Sequence, residues 1–589
     1  MENVFIVSDY SNWLTKLIGQ LGIIENQVLS YEEIHEDWEF DNWVKNIPES
    51  SKAIIIPIEL GKNNETSLEG LRIGMHLRLL PIEFKIRLIP IVFISNRDHS
   101  EISLLCRNNR DKNHYDYLIG TKGTDITKPI IEEIQSIIQN LEPLVEEEYK
   151  ESFYDHIKIN SPDKIGKHSL ANIWGAFRLA EVTGHQKYLL NNVELLKRHR
   201  DLYFKYINAI AGRSTNHNNV PNLKTINTTN KSILFIDDEA SKGWSLILEA
   251  IFNTDIETID RHENESFDNF YQRAKSKALE LNQYNLPKWD LILLDLRLDE
   301  FEDLGETVSK TAKDYSGGKI LLDIKSANRG TQVIMFTASN KAWNISELLG
   351  ADMGADGFYI KESPEYNQDS SFSLNNFLRF ELSVNDCFKK GFLRGIYQEI
   401  LPIEKLCKLE SNKHPRNYSL SLNQGTVNKA LQQLFLFQRL LNEFPFDLKW
   451  AFITMVLIIE EIVNECYYGD EREQIVSVDL MNSIKCNYIK DGKRKLAITP
   501  INKGQQFTLG EYIAGDEDVQ YYNQRASRVP FNFRLTCLLH FKYKLPLDSS
   551  IYKYFEVYKL RSDSVHPGQR SVTDQDIYLV LELLSILIK

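Results

Sequence analysis

The chain has 589 residues, 42% of them hydrophobic, and a formal net charge of −13. That length exceeds what one core can organise and predicts several domains, while the acidic balance excludes broad coating of nucleic acid or of an anionic membrane. The six cysteines, at positions 106, 387, 407, 466, 486 and 537, form no close metal-binding pair and read as reduced thiols.

The N-terminus starts acidic and runs straight into a strand, without a basic segment or cleavage site. The longest apolar helical run, Ala451 to Ile459, falls far short of the ~20 residues that span a bilayer. A cytoplasmic protein with no membrane partner is expected. Over residues 1–140, continuous apolar runs predict buried parallel strands at Val4–Val7, Ala53–Ile56, Ile91–Ile94 and Tyr117–Ile119, with spacers long enough for crossover helices. Residues 141–228 read as a helical connector, carrying helical spacing over Leu170–Val182 and an Asn-rich linker over Asn216–Asn230. Alternation of strand and helix returns in residues 229–365, with strands at Ile233–Ile236, Thr258–Ile259, Leu291–Leu294, Val333–Phe336 and Phe358–Ile360. Residues 366–425 predict a second helical connector, with one or two helices over Leu374–Ile400. Residues 426–589 predict an all-α bundle with helices at Val427–Phe444, Leu448–Tyr467, Asn532–Tyr543, Ile551–Val565 and Asp574–Ile588. The last of these starts on a capping-box pattern, Thr573-Asp574-Gln575-Asp576.

The two strand–helix regions read as a distant duplication. Aligning Ala53–Pro57 with Leu291–Asp295 sets Pro57 where the second copy has a carboxylate. Aligning Val92–Ser95 with Met335–Ala338 sets Ile94 opposite Thr337. The position of Lys361 then falls near Gly120, with Lys122 two residues on.

In the second copy a polar residue follows each apolar run. Asp237 and Asp238 follow the first, Asp295 ends the next, Thr337 another, and Lys361 stands just past Phe358-Tyr-Ile. In an open parallel sheet these positions share the carboxyl edge, where ligands bind. Hard carboxylate oxygens suit Mg2+, with Asp237 and Asp238 as ligands and Asp295 as a further one. Asp295 is the candidate nucleophile, since carboxylates form acyl phosphates. Lys361 offers a point charge and Thr337 a hydroxyl to a phosphoryl group.

Residues 231–363 thereby resemble a response-regulator receiver domain. The resemblance implies a five-stranded doubly wound, flavodoxin-like sheet and phosphotransfer to Asp295 from a histidine kinase or phosphotransfer protein. It also implies a switch made by Thr337 and Phe358. The first region resembles a degenerate receiver without the phosphorylation residues. Asp299 to Tyr315 is longer than the family's usual connection, and its acidic residues Asp299, Glu300, Glu302, Asp303 and Glu306 suit a solvated loop or a gate on kinase access. His168 sits early in a helical stretch and is a lesser candidate for phosphorelay to Asp295.

Near the end, Lys559-Leu-Arg561-Ser-Asp-Ser-Val-His566-Pro places an arginine and a histidine five residues apart at a helix terminus, with an apolar helix after them. This arrangement resembles the HEPN superfamily of helical bundles, many of them metal-independent ribonucleases whose motifs meet across a dimer interface. Ser562 stands where that family favours Asn or Asp. Leu509-Gly-Glu-Tyr-Ile513 resembles a segment of some members. The resemblance implies acid–base chemistry at His566, phosphate stabilisation by Arg561, a homodimer, and RNA as a partner. The alternative within the residues themselves is that Arg561 meets the helix dipole and His566 ends the helix.

The expected protein is thus a two-component response regulator controlling an RNA-cleaving effector in stress or phage defence. The alternative is a phosphorylation-gated adaptor whose C-terminal domain binds a partner without catalysis.

Overall fold

A computed structural model of the chain describes residues 3–33, 36–61, 68–81, 84–95, 97, 99–108, 124–127, 131–146, 159, 161, 167–211, 223–299, 302, 311–337, 342–350, 352–364, 370–411, 422, 424–466, 468–470, 475–477, 495–500, 507–512, 531, 535, 538–539, 543–546, 549–565 and 571–589. The chain divides into two compact units. The first gathers Met1–Ala278, Leu291–Leu321 and Val333–Asn385, and the second Leu279–Asp290, Leu322–Gln332 and Asp386–Lys589.

Two parallel sheets build the first unit. The N-terminal sheet comprises β1 (Val4–Ser8), β2 (Val28–Ser30), β3 (Ala53–Pro57), β4 (Ile91–Ser95) and β5 (Thr124–Thr127), in the order β2-β1-β3-β4-β5. The second comprises β6 (Ile233–Ile236), β7 (Glu257–Ile259), β8 (Leu291–Asp295), β9 (Val333–Thr337) and β10 (Gly357–Ile360), ordered β7-β6-β8-β9-β10. Both therefore have the 2-1-3-4-5 doubly wound order, with every strand pair parallel. The inner strands β1, β3, β4, β6, β8 and β9 are buried along their whole length. Their near-unbroken Ile, Val, Leu and Phe runs are what a sheet covered on both faces requires.

The predicted strand at Tyr117–Ile119 lies outside the described residues. The fifth strand of the first sheet is instead Thr124–Thr127, a polar segment at the sheet edge. Edge strands need less apolar sequence, which is why an apolar pattern does not mark Thr124–Thr127.

Crossover helices include α1 (Asn12–Leu21), α2 (Phe40–Trp43), α3 (Glu69–Arg78) and α4 (His99–Asn108), and α5 (Ile131–Asn140) follows the last strand. Between the sheets run α6 (Lys167–Thr183), α7 (Gln186–Leu190), α8 (Val193–His199) and α9 (Leu202–Ala211). Residues 171–180 of α6 are all buried, which makes α6 a core helix; a solvated connector would keep a polar face.

A polar network ties α9 to the first sheet's domain. Asp37 accepts from His76 Nε2 at 3.0 Å, from Arg72 Nε at 2.7 Å and from the Leu202 amide at 3.0 Å. Lys205 Nζ lies 2.5 Å from Asp41 and 3.2 Å from His76 Nδ1. His76 therefore donates to Asp37 and accepts from Lys205, and burial pushes its pKa down to about 4. Burial pushes Asp37 up, but His76 and Arg72 outweigh it and hold the carboxyl far below its ordinary value.

Around the second sheet lie α10 (Trp244–Phe252), α11 (Phe267–Ala278), α12 (Ser316–Ala327), α13 (Ala342–Leu349) and α14 (Ser370–Lys389). The helical region of the second unit holds α15 (Leu393–Ser411), α16 (Gln424–Glu443), α17 (Lys449–Cys466), α18 (Ser549–Tyr552), α19 (Phe555–Val565) and α20 (Asp574–Ile588). Leu434, Phe437, Met455, Ile459, Leu560 and Leu584 are among its core residues. The Thr573 hydroxyl accepts from the Asp576 amide, and Asp576 accepts from the Thr573 amide at 2.8 Å, completing the predicted capping box.

The C-terminal region is not all-α. Two antiparallel hairpins, β11 (Tyr468–Asp470) with β12 (Ile475–Ser477) and β13 (Lys495–Pro500) with β14 (Phe507–Tyr512), interrupt the helices. Only Phe-Thr-Leu-Gly at the start of β14 follows the strand period of two.

No helix among the described residues is long and apolar enough to cross a membrane.

Candidate functional site

Register assembles the site. Ile236 pairs with Leu294, so Asp237 stands level with Asp295, and Asp295 pairs with Phe336, one residue before Thr337. Ile360 pairs with Thr337, which sets Lys361 just beyond the edge. The Lys361 amide donates to the Thr337 carbonyl at 2.7 Å, continuing the ladder past β10.

The side chains converge. Asp237, Asp238 and Asp295 each offer a carboxylate oxygen within 4.8 Å of the others. Lys361 Nζ donates to Asp237 Oδ2 at 2.6 Å and to Asp295 Oδ2 at 2.8 Å. Thr337 is 1% exposed, Lys361 1%, Asp237 0% and Asp295 2%, while Asp238 is half-buried. Phe358 is half-buried on β10 and pairs with Met335. Side chains alternate along a strand, so Phe358, Met335 and Thr337 share one face. The neighbouring Tyr359 points the other way, into an aromatic cluster with Phe336, Trp244 and Phe380 at ring separations of 5.0, 5.9 and 5.4 Å.

The electrostatics are those of a crowded acidic site. Burial raises the Asp237 carboxyl above its usual range, and neighbouring Asp295 adds to the rise against the pull of Lys361. Burial pulls Lys361 down, but Asp237 and Asp295 outweigh it and fix the ammonium as charged. Three carboxylates against one ammonium leave two negative charges in excess.

Sequence reasoning missed two members of the site. Asn172, on α6, accepts from Lys361 Nζ through Oδ1 at 2.9 Å and donates through Nδ2 to Glu239 Oε2 at 2.8 Å. Ser169 also donates to Glu239. Neither contact had a local signal, because Asn172 and Lys361 are 189 residues apart. His168 falls in the first turn of α6, but its side chain lies outside the described residues.

Of the long segment after Asp295, residues 303–310 also lie outside the described residues. The flanking acids are engaged: Asp299 faces Arg261 at 3.8 Å, and Glu302 Oε1 accepts from the Ser316 amide at 2.9 Å, at the start of α12. That helix begins tight against the site, since a Cβ on Gly317 would overlap the Asp295 carbonyl.

The same edge of the first sheet is chemically different. Ile6 pairs with Ile55 and Pro57 with Ile94. By strand position Ser8 matches Asp237, Asp9 matches Asp238, Pro57 matches Asp295 and Ser95 matches Thr337. Ile94 therefore matches Phe336, one step from the expected pairing with Thr337, because the strand ends fix the register. The residue after β5 is Lys128, so the counterpart of Lys361 is neither Gly120 nor Lys122; Lys128 lies outside the described residues. Asp9 serves loop structure, accepting from the amides of Ser11 at 3.0 Å and Gly61 at 3.1 Å.

Of the C-terminal pair, Arg561 lies on α19, with Nη1 3.1 Å from Glu460 Oε1 and its guanidinium over the Tyr558 ring. His566 and most of the segment that would complete a pocket lie outside the described residues. Leu509 to Tyr512 fall in strand β14.

The chain carries two parallel sheets of the same strand order, the first in a receiver-like N-terminal domain and the second with an acidic cluster and a lysine at its edge. Residues 3–127 match the family model of the inactive receiver domain. That family fits Pro57 and Ser8, which cannot supply a phosphoacceptor or a metal ligand pair. No curated protein matches the chain.

Proposed function

We propose that the second sheet is a working phosphoacceptor domain in a response-regulator-like protein whose first receiver is inactive. The observation that supports this most directly is the convergence of Asp237, Asp238, Asp295, Thr337 and Lys361 on one strand edge. An Asp295 carboxylate oxygen attacks the donor phosphorus. The P–N bond of a phosphohistidine breaks, or the P–O bond of acetyl phosphate, and an acyl phosphate forms as histidine or acetate leaves. Lys361 pairs with the phosphoryl oxygens, Thr337 donates its hydroxyl, and Phe358 on the same face follows Thr337 as the switch.

The donor set fits a magnesium ion. Three hard oxygen ligands lie close together at one sheet edge, as a small hard cation requires. Asp237 and Asp238 would hold it, with Asp295 as a further ligand, and it would neutralise charge between carboxylates and phosphoryl group.

The working partner is a histidine kinase or phosphotransfer protein, and the division into residues 1–140, 141–228, 229–365, 366–425 and 426–589 belongs to the same reading. For output, a HEPN-like C-terminal region using Arg561 and His566 would cleave RNA as a homodimer in the cytoplasm. The Arg561–Glu460 ion pair favours the second reading, an adaptor in which Arg561 is structural.

Acetyl phosphate with magnesium should add one phosphoryl mass to the wild type and none to Asp295→Asn. Label retained on the variant would refute the assignment. RNA cleavage lost in His566→Ala supports the nuclease output, and RNA left intact by both phosphorylated wild type and variant supports the adaptor.

A further inference from the structure

An ammonium has three N–H donors, and all three of Lys361 are engaged: by Asp237 Oδ2 at 2.6 Å, Asp295 Oδ2 at 2.8 Å and Asn172 Oδ1 at 2.9 Å. Two of the acceptors are carboxylates of the sheet edge. The third is a neutral amide brought by a helix from outside the βα fold. A phosphoryl group on Asp295 carries oxygens that need this same ammonium, so one acceptor must leave. Phosphorylation turns the Asp295 carboxylate into an acyl group and sets charged phosphoryl oxygens beside it; these and the Asp237 carboxylate are stronger acceptors than a neutral amide, and Asn172 is therefore the acceptor that gives way.

We propose that Asn172 is the resting occupant of the phosphoryl position on Lys361, so that phosphoryl uptake at Asp295 and the seating of α6 compete for one ammonium. This rests on the phosphoacceptor reading of Asp295 and adds to it the element that senses the event.

The rest of the α6 seat argues for a built contact. Glu239, two residues after Asp237, is held by Asn172 Nδ2 and Ser169 Oγ, so the helix grips both sides of the acidic edge. Gly175 lets the helix backbone lie on the site: a Cβ there would come within 2.9 Å of Trp244 Cζ2 and 3.1 Å of the Glu362 carbonyl. One turn on, Arg178 Nη2 donates to Ser373 Oγ at 3.0 Å, and its Nε lies 3.6 Å from Glu362, the residue after Lys361. Lys361 and Glu362 thus hold successive turns of the same helix. When the ammonium turns to a phosphoryl group, Asn172 is left with a buried carbonyl that has lost its cation. The first half of α6 loosens while the Arg178 end stays clamped.

The test uses the full-length protein. Hydrogen exchange over residues 167–183 is measured with magnesium alone and with magnesium plus beryllofluoride, a phosphoryl mimic. Acetyl phosphate labelling is followed in wild type and Asn172→Ala. In the wild type, exchange over residues 169–175 should rise roughly tenfold with the mimic, the scale of one hydrogen bond to a charged group. In Asn172→Ala it should start high and stay unchanged, and labelling should be faster by a similar factor. The wild-type exchange experiment needs no variant, so a misfolded Asn172→Ala leaves the proposal open to refutation. If wild type and Asn172→Ala label at one rate, and α6 exchange ignores the mimic, the competition is wrong while the phosphoacceptor stands. If neither protein takes up label or mimic at Asp295, the phosphoacceptor reading fails and takes this one with it.

Discussion

Replacing Lys361 with methionine isolates the charge balance of the site. The ammonium is 1% exposed and its partners Asp237 and Asp295 are 0% and 2% exposed, so the substitution leaves two facing carboxylates in a dry environment. Removing one partner of such a buried set costs about 3–5 kcal/mol. Without a cation, the variant's relief is to bind a proton between Asp237 and Asp295. That raises a folded-state carboxyl pKa above its unfolded value of about 3.9. A group shifted in that direction contributes stability that is full at low pH and is lost as pH rises. The cost should therefore be largest at pH 7 and shrink by about 2–3 kcal/mol at pH 5, following at most about 1.4 kcal/mol per pH unit for one proton. Denaturant unfolding at the two pH values, read by tryptophan fluorescence, measures it; Trp244 lies 5.5 Å from the Lys361 nitrogen. Magnesium should stabilise the variant more than the wild type, because a cation replaces the missing charge. Adding Asp237→Asn to Lys361→Met should recover much of the loss. A variant within about 1 kcal/mol of wild type at pH 7, or one whose deficit is the same at both pH values, would show that these carboxylates are not held by Lys361 in the way described.

His76 tests the joint between α9 and the first domain. Its folded pKa, pushed down to about 4 by burial, lies below the ordinary 6.5, so its stability contribution is present above 6.5 and lost as pH falls. Between pH 7 and pH 5 the wild type should lose about 2 kcal/mol that His76→Gln does not lose, measured by unfolding at each pH. Gly317→Ala drives a methyl into the Asp295 carbonyl. It should destabilise by about 1–3 kcal/mol and slow phosphoryl labelling by moving the end of β8; normal labelling at normal stability would mean that α12 is free to shift.

The elements most legible in the sequence are those where burial on both faces forces an unbroken apolar run. Leu291–Asp295 and Val333–Thr337 are examples, and because the polar residue ends each run, the site came with the strands. Elements under weaker constraint escaped. Val28–Ser30 is a three-residue edge strand, and Thr124–Thr127 is an edge strand with only one aliphatic residue. Register along β4 was misread by one residue because hydrophobicity continues through Ile94 and does not mark where the strand stops. Asn172 could not have been found at all. It is one polar residue on a helix, and only the tertiary fold brings it to Lys361.

The two sheet edges show why one retains a lysine–carboxylate cluster and the other does not need it. At the second edge, Asp237, Asp238 and Asp295 come together because parallel register places residues just past neighbouring strands side by side. Their repulsion in a buried setting has to be offset, here by Lys361. At the first edge, Ser8 and Pro57 remove two of the three charges. The carboxylate that is left, Asp9, is balanced by two loop amides alone. One aspartate in place of three leaves the strand ends without a cluster of carboxylate ligands, and proline has no side-chain oxygen to offer a phosphoryl donor. The frame survives because its strands are held by apolar burial, which is indifferent to what stands at the rim. The domain's polar investment lies instead at Asp37, His76 and Asp41, where it holds Lys205 and the amide end of α9.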